Sequence, residues 1–378
     1  MKRRNFLKLA GGGVVLAAGG LGAFVTTRTP TQALAPWSRV GTYDDPRKNA
    51  LSYAILAPNP HNRQPWIVDL QGDDELMLYF DTDKQLPHTD PFDRQLTIGL
   101  GCFLALLKMA ANADGYDVAV TLFPDGEDAA GLDDRPIARI TFEQATPVVD
   151  PLFTHVMHRR SNKEPYDVSR AVPVVALARI TAVGQQTQLG GSVSPDDIAF
   201  WRELTTQALV TEIETPHTYK ESVDLMRIGK AEVNANPDGI DFSGAVFEAL
   251  AFAGVMEREA LLDTSSTGFR EGLKVVTENT KTAMGHVWMV TPGNSRRDQI
   301  AAGADWLRIN LACTAEGLGF QPLSQALQEY PEMTELYTKT HARLARDGET
   351  VQMLARIGYG PDVPVSPRWP IEAKIGMV

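Results

Sequence analysis

Hydrophobic and polar positions alternate with two different periods along this chain of 378 residues. Two long segments, Asp93–Ala113 and Gln299–Glu316, are apolar on nearly every side, which is typical of helices buried at the centre of a domain. Short segments such as Trp66–Leu70, Leu76–Phe80 and His286–Val290 have the length and composition of strands. The pattern therefore predicts an α+β fold, with mixed or antiparallel sheets around buried central helices.

Other segments predict the elements between these landmarks. Strands are expected at Asp117–Phe123 and Ile137–Phe142, and helices at Asp44–Ala57 and Asp150–Arg159. A longer helical pattern over residues 226–278 is interrupted by the turn-forming run Asn236-Pro237-Asp238-Gly239. This stretch has no counterpart earlier in the chain, so we interpret it as a lid-like insertion or as extra packing between two halves.

The two apolar helices resemble each other at a constant offset of 202 residues. Five pairs are identical: Ile98/Ile300, Gly101/Gly303, Ala110/Ala312, Ala113/Ala315 and Gly115/Gly317. A chance likeness between two alanine-rich helices is one explanation, and an internal duplication is the one that we favour. Duplication predicts two pseudo-symmetric halves, residues 36–150 and 151–378, packed like a dimer within one chain. A monomer is then the expected oligomeric state.

The charge is divided unevenly along the chain. There are 36 Lys and Arg residues against 47 Asp and Glu residues, a net charge of −11. Residues 1–35 carry five basic residues and no acidic residue, so the rest has 31 against 47, or −16. Such an acidic body repels phosphate backbones and anionic lipid, which disfavours nucleic acid as a general partner. The two cysteines cannot build a disulfide framework.

The basic head has the order of an export signal. It comprises a positive end, an apolar stretch and a small-x-small cleavage site: Met1–Asn5, Leu9–Val25 and Ala33-Leu34-Ala35. Within it, Arg3-Arg4-Asn5-Phe6-Leu7-Lys8 resembles the twin-arginine (Tat) signal. We expect export of the folded chain by the Tat machinery, cleavage after Ala35 and a periplasmic location. The alternative is a basic N-terminus on an anchor helix.

Three polar stretches combine groups that could hold a cofactor. They are the Pro-bounded loop Pro58–Trp66, the cationic run His158–Lys163 and the turn Gly317–Gln325. Amides, clustered cations and bared backbone N–H groups suit a planar ligand that carries a phosphate. Each stretch alone also fits a turn, a solvated charge run or a helix C-cap. No metal is expected, because His155 and His158 lack further ligands at a suitable spacing.

Taken in chain order, these stretches resemble the nitroreductase superfamily of FMN-dependent flavoproteins, and most closely its Acg-like branch of fused tandem proteins. The resemblance covers residues 40–378. It rests on Asn62-x-Gln64-Pro65-Trp66, Arg159-Arg160-Ser161, Gly317-x-Gly319 through Pro322-Leu323-Ser324, and Arg368-Trp369-Pro370. The resemblance implies a nitroreductase-like α+β fold and bound FMN.

The resemblance also implies roles for particular residues. Three residues would hold the phosphate, with two cations nearby: Arg159, Ser161 and Arg368, then Arg160 and Lys163. Asn62 and Gln64 would address the ribityl chain or ring edge. The isoalloxazine ring would lie against Pro322, Leu323 and the Ser324 backbone. No catalytic side chain is implied, because flavin N5 carries the chemistry.

The distribution of the motifs predicts one FMN per chain. The N-x-Q-P-W loop occurs only in the first half, and the R-R-S, P-L-S and terminal arginine motifs occur only in the second. The expected function is an exported oxidoreductase that reduces a nitroaromatic, a quinone or a similar small acceptor, with the electron donor unknown. The alternative is a flavin-binding protein that sequesters FMN without nicotinamide-dependent turnover.

Overall fold

The structure is a computed structural model that describes residues 27–128 and 130–376. The twin-arginine motif and the apolar stretch of the predicted leader lie outside the described residues. The predicted cleavage site lies inside them, where Ala33 is buried within a short helix.

The strands, numbered in chain order, form three sheets. The strands are β1 (Trp66–Gln71), β2 (Glu75–Phe80), β3 (Tyr116–Leu122), β4 (Ala138–Gln144), β5 (Gln188–Ser192), β6 (Met226–Ile228), β7 (Ile240–Phe242), β8 (Gly285–Thr291), β9 (Gly319–Pro322) and β10 (Thr350–Gly358). Two sheets are four-stranded and antiparallel, with the orders β1-β2-β4-β3 and β5-β8-β10-β9. The third is the short parallel pair β6-β7.

The α-helices are likewise numbered in chain order over the described residues. They are α1 (Thr31–Leu34), α2 (Pro46–Ala54), α3 (Arg94–Ala113), α4 (Val174–Thr181), α5 (Pro195–Glu214), α6 (Pro216–Asp224), α7 (Gly229–Ala235), α8 (Ala245–Phe252), α9 (Arg258–Leu262), α10 (Thr267–Thr280), α11 (Arg296–Ala315) and α12 (Thr334–Leu344). The α+β prediction is confirmed, and both large sheets are antiparallel throughout.

The two large sheets and their helices repeat one topology. In each set, two strands precede a 20-residue helix and two follow it: β1, β2, α3, β3, β4 and β5, β8, α11, β9, β10. The sheet order of corresponding strands is the same in both sets. Helix α3 is apolar and long enough to cross a membrane, but 78% of its most apolar 18-residue segment is buried inside the protein. The repeated topology agrees with a duplication, which itself stays a prediction.

The helices α3 and α11 touch through their backbones. A Cβ atom added to Gly101 would overlap the carbonyl oxygen of Ile300, and one added to Gly303 would overlap that of Ile98. The thiol of Cys102 donates to the carbonyl oxygen of Gly303 at 3.1 Å. The two glycine contacts are reciprocal, as expected of surfaces related by a twofold axis. Only glycine permits this approach, so the 202-residue repeat has a direct packing reason.

The stretch 226–278 differs from its predicted helical pattern. Its first part contains β6, helix α7 and β7, and the rest contains α8, α9 and most of α10. Strands of three residues are too short for periodicity to detect. The predicted helix at Asp150–Arg159 is a 3-10 helix, Pro151–His158. Helices α5 and α6 were not predicted, because α5 mixes buried polar and apolar residues, such as Thr205 and Trp201.

Substitution of Gly303 by alanine should destabilise the protein, because the new methyl group meets the α3 backbone. Overpacking of this kind costs about 1–3 kcal/mol of unfolding free energy. Gly272 is the matched control, since it lies on helix α10 with open space around its Cβ position. Alanine there should be neutral or stabilise by up to about 1 kcal/mol. Chemical denaturation compares the two variants, and an equal effect at both positions would contradict the packing.

Candidate functional site

Two buried arginines meet at one backbone carbonyl. Arg159 directly follows the 3-10 helix Pro151–His158, and Arg368 lies in the C-terminal segment after β10. The Nη2 atoms of both side chains donate to the carbonyl oxygen of Leu56, at 3.0 Å from Arg159 and 3.2 Å from Arg368. The residues are only 4% and 2% exposed. The fold therefore holds two guanidinium groups side by side, away from bulk water.

The charge of this arginine pair is not neutralised by the protein. Burial lowers the pKa of Arg159 to about 10, and burial with repulsion from Arg159 and Arg160 lowers that of Arg368 to about 9. No carboxylate in residues 27–128 and 130–376 raises either value. Nη1 of Arg159 and Nε of Arg368 are buried without a hydrogen-bond partner. Charged groups with unused N–H donors are suited to bind an anion such as a phosphate.

The two amides of the N-x-Q-P-W loop bind other parts of the protein. Oδ1 of Asn62 accepts a hydrogen bond from Nη1 of Arg368 at 2.6 Å. Gln64 is completely buried; its Nε2 donates to the carbonyl oxygen of Pro237 at 2.6 Å and its Oε1 accepts from the N–H of Trp369 at 2.9 Å. Asn62 thus orients Arg368, and Gln64 ties the loop to the C-terminal segment. Direct contact of these amides with a cofactor stays a prediction.

The same loop has an uncommon backbone conformation. His61, Asn62 and Gln64 have φ values of 45°, 51° and 50°, in the left-handed region that non-glycine residues seldom adopt. Oδ1 of Asn59 accepts from the N–H of Gln64 at 2.8 Å and helps to hold this shape. Such conformations cost about 1–3 kcal/mol each and are retained where the surroundings fix them, often at functional sites.

A buried aspartate locks the loop against the inserted segment. Asp238 is 4% exposed and receives Lys84 Nζ at 2.6 Å and Arg227 Nη2 at 3.0 Å. A third cation, Arg63, lies 4.0 Å away. Burial by itself would raise the pKa of Asp238, but hydrogen bonds and charge from Lys84 and Arg227 hold it below the usual value. The Asn236–Gly239 turn therefore contacts the loop that carries Asn62 and Gln64 through Asp238 and Arg63.

The cationic run after the 3-10 helix divides between two locations. Arg160 donates through Nη1 to the Arg159 carbonyl oxygen at 2.8 Å, and its guanidinium lies 5.2 Å from the Trp37 ring. Ser161 is exposed, and its hydroxyl makes no hydrogen bond to the residues that the structure describes. Lys163 lies elsewhere, close enough for its charge to act on His61 and Glu212. Of the predicted phosphate residues, Arg159, Arg160 and Arg368 lie close enough for their charges to interact.

The P-L-S segment is held by the second large sheet. Pro322 ends β9 and pairs with Ala355 of β10. The N–H of Leu323 donates to the carbonyl oxygen of Leu354 at 2.9 Å, and the Ser324 hydroxyl donates to the same oxygen at 3.3 Å. Leu323 and Ser324 are 1% and 5% exposed. Their side chains are therefore packed within the protein.

Sequence reasoning missed the residues that connect the cationic run to this sheet. The N–H of Asn162 donates to the carbonyl oxygen of Phe320 at 2.8 Å, and its own carbonyl accepts from the Tyr166 hydroxyl at 2.9 Å. Arg356 donates through Nη2 to the Glu164 carbonyl oxygen at 2.7 Å and lies 3.9 Å from the Tyr166 ring. These residues fix the position of Arg159 to Lys163 relative to β9.

Glycines around Tyr166 offered a signal for this connection. A Cβ atom at Gly319, Gly358 or Gly360 would lie 2.8, 2.6 or 2.9 Å from the tyrosine ring. Gly319 belongs to the motif Gly317-x-Gly319, whereas Gly358 ends strand β10 and Gly360 follows two residues later. The sequence shows that small residues are needed there, but not which side chain fills the space.

A second group of buried polar side chains was also missed. Glu212 of α5 is 6% exposed, and burial raises its pKa to about 7, against opposing hydrogen bonds from Gln328 and Gln325. Glu221 raises this pKa further and Lys163 lowers it. Four polar atoms of the group have no hydrogen-bond partner: Glu212 Oε2, Gln325 Oε1, Gln328 Oε1 and the Tyr330 hydroxyl. No motif marks Glu212, because it is one polar residue in a long mixed helix.

The chain is similar over most of its length to several mycobacterial proteins. A scan against models of protein families gives no match. The protein named "Putative NAD(P)H nitroreductase acg" of Mycobacterium tuberculosis is 25% identical over 340 residues, covering 86% of this chain and 93% of that protein. An uncharacterized protein of the same organism is 24% identical over 357 residues, covering 86% of this chain and 91% of its own. These matches support the similarity of this chain to a nitroreductase-like family.

Solved structures of nitroreductases are only weakly similar. An FMN- and NADPH-dependent nitroreductase from a Sphingopyxis strain has a TM-score of 0.37 at 15% identity, covering 61% of this chain and 99% of that chain. A nitroreductase structure from Anabaena variabilis has a TM-score of 0.36 at 10% identity, covering 81% and 82%. Likeness at this level is too weak to support an argument about cofactor or activity.

Substitution of Glu212 by glutamine should change how stability depends on pH. The folded chain holds this proton up to about pH 7, whereas the ordinary pKa is 4.5. The wild type therefore loses stability as pH rises from 4.5 to 7, by about 3 kcal/mol at 1.36 kcal/mol per pKa unit. Glu212→Gln should remove this loss, and Glu214→Gln, exposed on the same helix, should retain it. Identical pH profiles for the two variants would contradict the assignment.

Proposed function

We propose that this protein is an FMN-binding oxidoreductase of nitroreductase type that reduces a nitroaromatic, a quinone or a similar small acceptor. The proposal joins the motifs of the sequence to the chain's similarity to proteins named putative NAD(P)H nitroreductases. NAD(P)H is accordingly the first electron donor to test.

One observation carries the proposal: the buried arginine pair has charge and N–H groups that the protein leaves unused. A cation pair buried without a counter-ion is costly, and a bound anion offsets that cost. The phosphate of FMN supplies two or nearly two negative charges at neutral pH, together with several acceptor oxygens. The residues present therefore fit the group that the family resemblance implies.

The chain's own residues would position the cofactor rather than react with it. Arg159 and Arg368 would hold the phosphate, with Arg368 fixed by the Asn62 amide. The loop that carries Asn62 is held by the Asn236–Gly239 turn, because Gln64 donates to the Pro237 carbonyl oxygen and the N–H of Gly239 donates to that of Asn62. Pro322 to Ser324 would support the ring on a segment held by β10. Bound flavin supplies the two-electron hydride chemistry, so no nucleophile is required.

One complete site per chain follows from the way the parts are shared. The loop that contains Asn62 comes from the predicted first half, and both arginines come from the predicted second half. The proposal therefore includes a tandem arrangement, with halves 36–150 and 151–378, in which the pseudo-symmetric position lacks these motifs.

The predicted export of the chain favours a second candidate function, the sequestration of FMN. The leader resembles a twin-arginine signal, and nicotinamide cofactors are not expected outside the cytoplasm. An exported chain would then sequester FMN, or take electrons from another donor. Retention in the cytoplasm of a variant with both Arg3→Lys and Arg4→Lys would support the route, and unchanged export would contradict it.

Purified wild-type protein should contain one FMN per chain, measured by absorbance and by released flavin. Arg368→Ala should weaken FMN binding about 10- to 100-fold, because a charge-assisted hydrogen bond contributes about 1.5–3 kcal/mol. Arg346→Ala, on an exposed arginine, is the matched control. A ratio near two flavins per chain would contradict the single site, and undiminished flavin in Arg368→Ala would refute the phosphate assignment.

Anaerobic mixing with NAD(P)H distinguishes the two candidate functions. A nicotinamide-dependent enzyme should bleach at about 450 nm and regain its colour when a nitroaromatic or quinone is added. A sequestering protein should stay oxidised with NAD(P)H while dithionite still reduces it. Stopped-flow absorbance records both steps, and absence of any flavin signal would contradict both candidates.

A further inference from the structure

The residues predicted as the end of the cleaved leader are part of the folded body. Ala33 lies in helix α1 and is 2% exposed. Its N–H donates to Oδ1 of Asn234 at 3.0 Å, and its carbonyl oxygen accepts from the N–H of Arg368 at 2.9 Å. Four residues later, the Trp37 indole donates to the carbonyl oxygen of Ser366 at 2.8 Å. The segment thus supports the backbone of the candidate phosphate residue.

The chain is fastened again just before this helix. Arg28 Nη1 forms an ion pair with Oε2 of Glu248 at 2.9 Å, and Lys230 Nζ donates to the carbonyl oxygen of Thr27 at 3.0 Å. Residues before α1 and within it therefore contact the segment that contains α7 and α8. A leader that is removed after export has no need of such contacts.

These contacts close the predicted cleavage site. A peptidase has to bind exposed, extended backbone, whereas Ala33 and Leu34 are helical and Ala35 continues into a 3-10 helix. A chain exported in the folded state would reach the far side of the membrane with this site already packed. Cleavage after Ala35 would also remove the carbonyl that binds the N–H of Arg368.

An apolar surface lies where the chain leaves the body. Helix α8 has the sequence Ala-Val-Phe-Glu-Ala-Leu-Ala-Phe and contains no buried residue. Val246 is 70% exposed and Phe252 is 96% exposed, and Leu250 and the nearby Val255 are also exposed. The one charged residue of α8 is Glu248, the partner of Arg28. The N-terminal segment therefore emerges beside exposed apolar side chains.

The apolar stretch of the leader is close in sequence to Arg28, which contacts helix α8. Leu9–Val25 ends three residues before Arg28. Three extended residues span about 10 Å at most, so Val25 cannot be farther than that from Arg28. A stretch of 17 residues is at the lower limit for crossing a bilayer. The four basic residues ahead of it favour an orientation with the N-terminus in the cytoplasm and the body outside.

We propose that the leader is retained as a membrane anchor and that helix α8 docks on the same bilayer. The partner is a lipid surface, because the anchor places that surface within reach of α8 and because α8 presents aromatic and aliphatic side chains. The orientation rests on the proposed export, whereas the contacts of residues 27–35 do not. Flavin content is measured separately from retention and docking, so failure of this proposal can be distinguished from failure of the proposed flavin site.

Intact-mass analysis of the full chain, expressed with its own leader, tests the retention. The expected result is a chain of about the full 41.3 kDa, with residues 1–35 present, in the membrane fraction. A soluble periplasmic chain that begins at residue 36 would overturn the proposal. Flavin content measured on the same sample reports the proposed function separately.

A single surface cysteine tests the docking. Phe252→Cys is labelled with a polarity-sensitive dye in full-length protein reconstituted into vesicles of phosphatidylcholine, which carries no net charge. Native Cys102 and Cys313 are buried, and burial raises the pKa of both thiols, so they should resist labelling. The matched control is Val148→Cys, 92% exposed on a surface remote in sequence from α8.

The emission at position 252 should shift to the blue in vesicles and that at position 148 should not. Equal emission at the two positions would overturn the docking even if the leader is retained. The emission at position 252 could instead shift when the protein concentration is raised in the absence of lipid. That result would assign α8 to contact with a second copy of the chain and would also overturn the docking proposal.

Discussion

The arrangement around the candidate site depends on one constraint: two guanidinium groups are buried together, and over the described part of the chain neither forms an ion pair with a carboxylate. Arg159 and Arg368 share the carbonyl oxygen of Leu56, and burial lowers the pKa of both guanidinium groups. Such a pair is stable only where surrounding contacts hold each side chain in place. Asn62 supplies that contact to Arg368.

The contacts extend outwards from this pair to distant parts of the chain. Asn62 keeps its strained conformation because the loop is tied by Gln64 to Pro237 and Trp369. The backbone of Arg368 is held from the other side by Ala33. The leader segment, the N-x-Q-P-W loop, the inserted turn and the C-terminal segment therefore converge on one pair of cations. Two antiparallel sheets with helices packed through Gly101 and Gly303 form the scaffold beneath them.

The local sequence pattern was sufficient to predict those elements whose hydrophobic period matches their burial in the fold. The helix predicted at Asp93–Ala113 is observed at Arg94–Ala113, and the second at Arg296–Ala315 rather than Gln299–Glu316. Strands β1 and β2 were predicted, at Trp66–Leu70 and Leu76–Phe80, from the length and composition of these segments. The short strands β6 and β7 were not, because three residues carry too little periodic signal and their pairing is a tertiary property.

The sequence motifs named residues of the candidate site but did not give the contacts that these residues make. The sequence marked Arg159, Arg368, Asn62 and Gln64, but it could not show that both amides are used by the protein itself. Glu212 and Asp238 owe their properties to burial and to neighbours far away in sequence, which no single-residue pattern contains. The same holds for Ala33, whose burial changes the interpretation of a cleavage motif.

The affinity of flavin-free protein for FMN and for riboflavin, measured by fluorescence quenching, tests the central claim most directly. Riboflavin has the same ring and ribityl chain but no phosphate. If the arginine pair binds the phosphate, FMN should bind at least about 100-fold more tightly, since two charge-assisted hydrogen bonds contribute about 3 kcal/mol or more. Equal affinity for the two flavins would contradict the account.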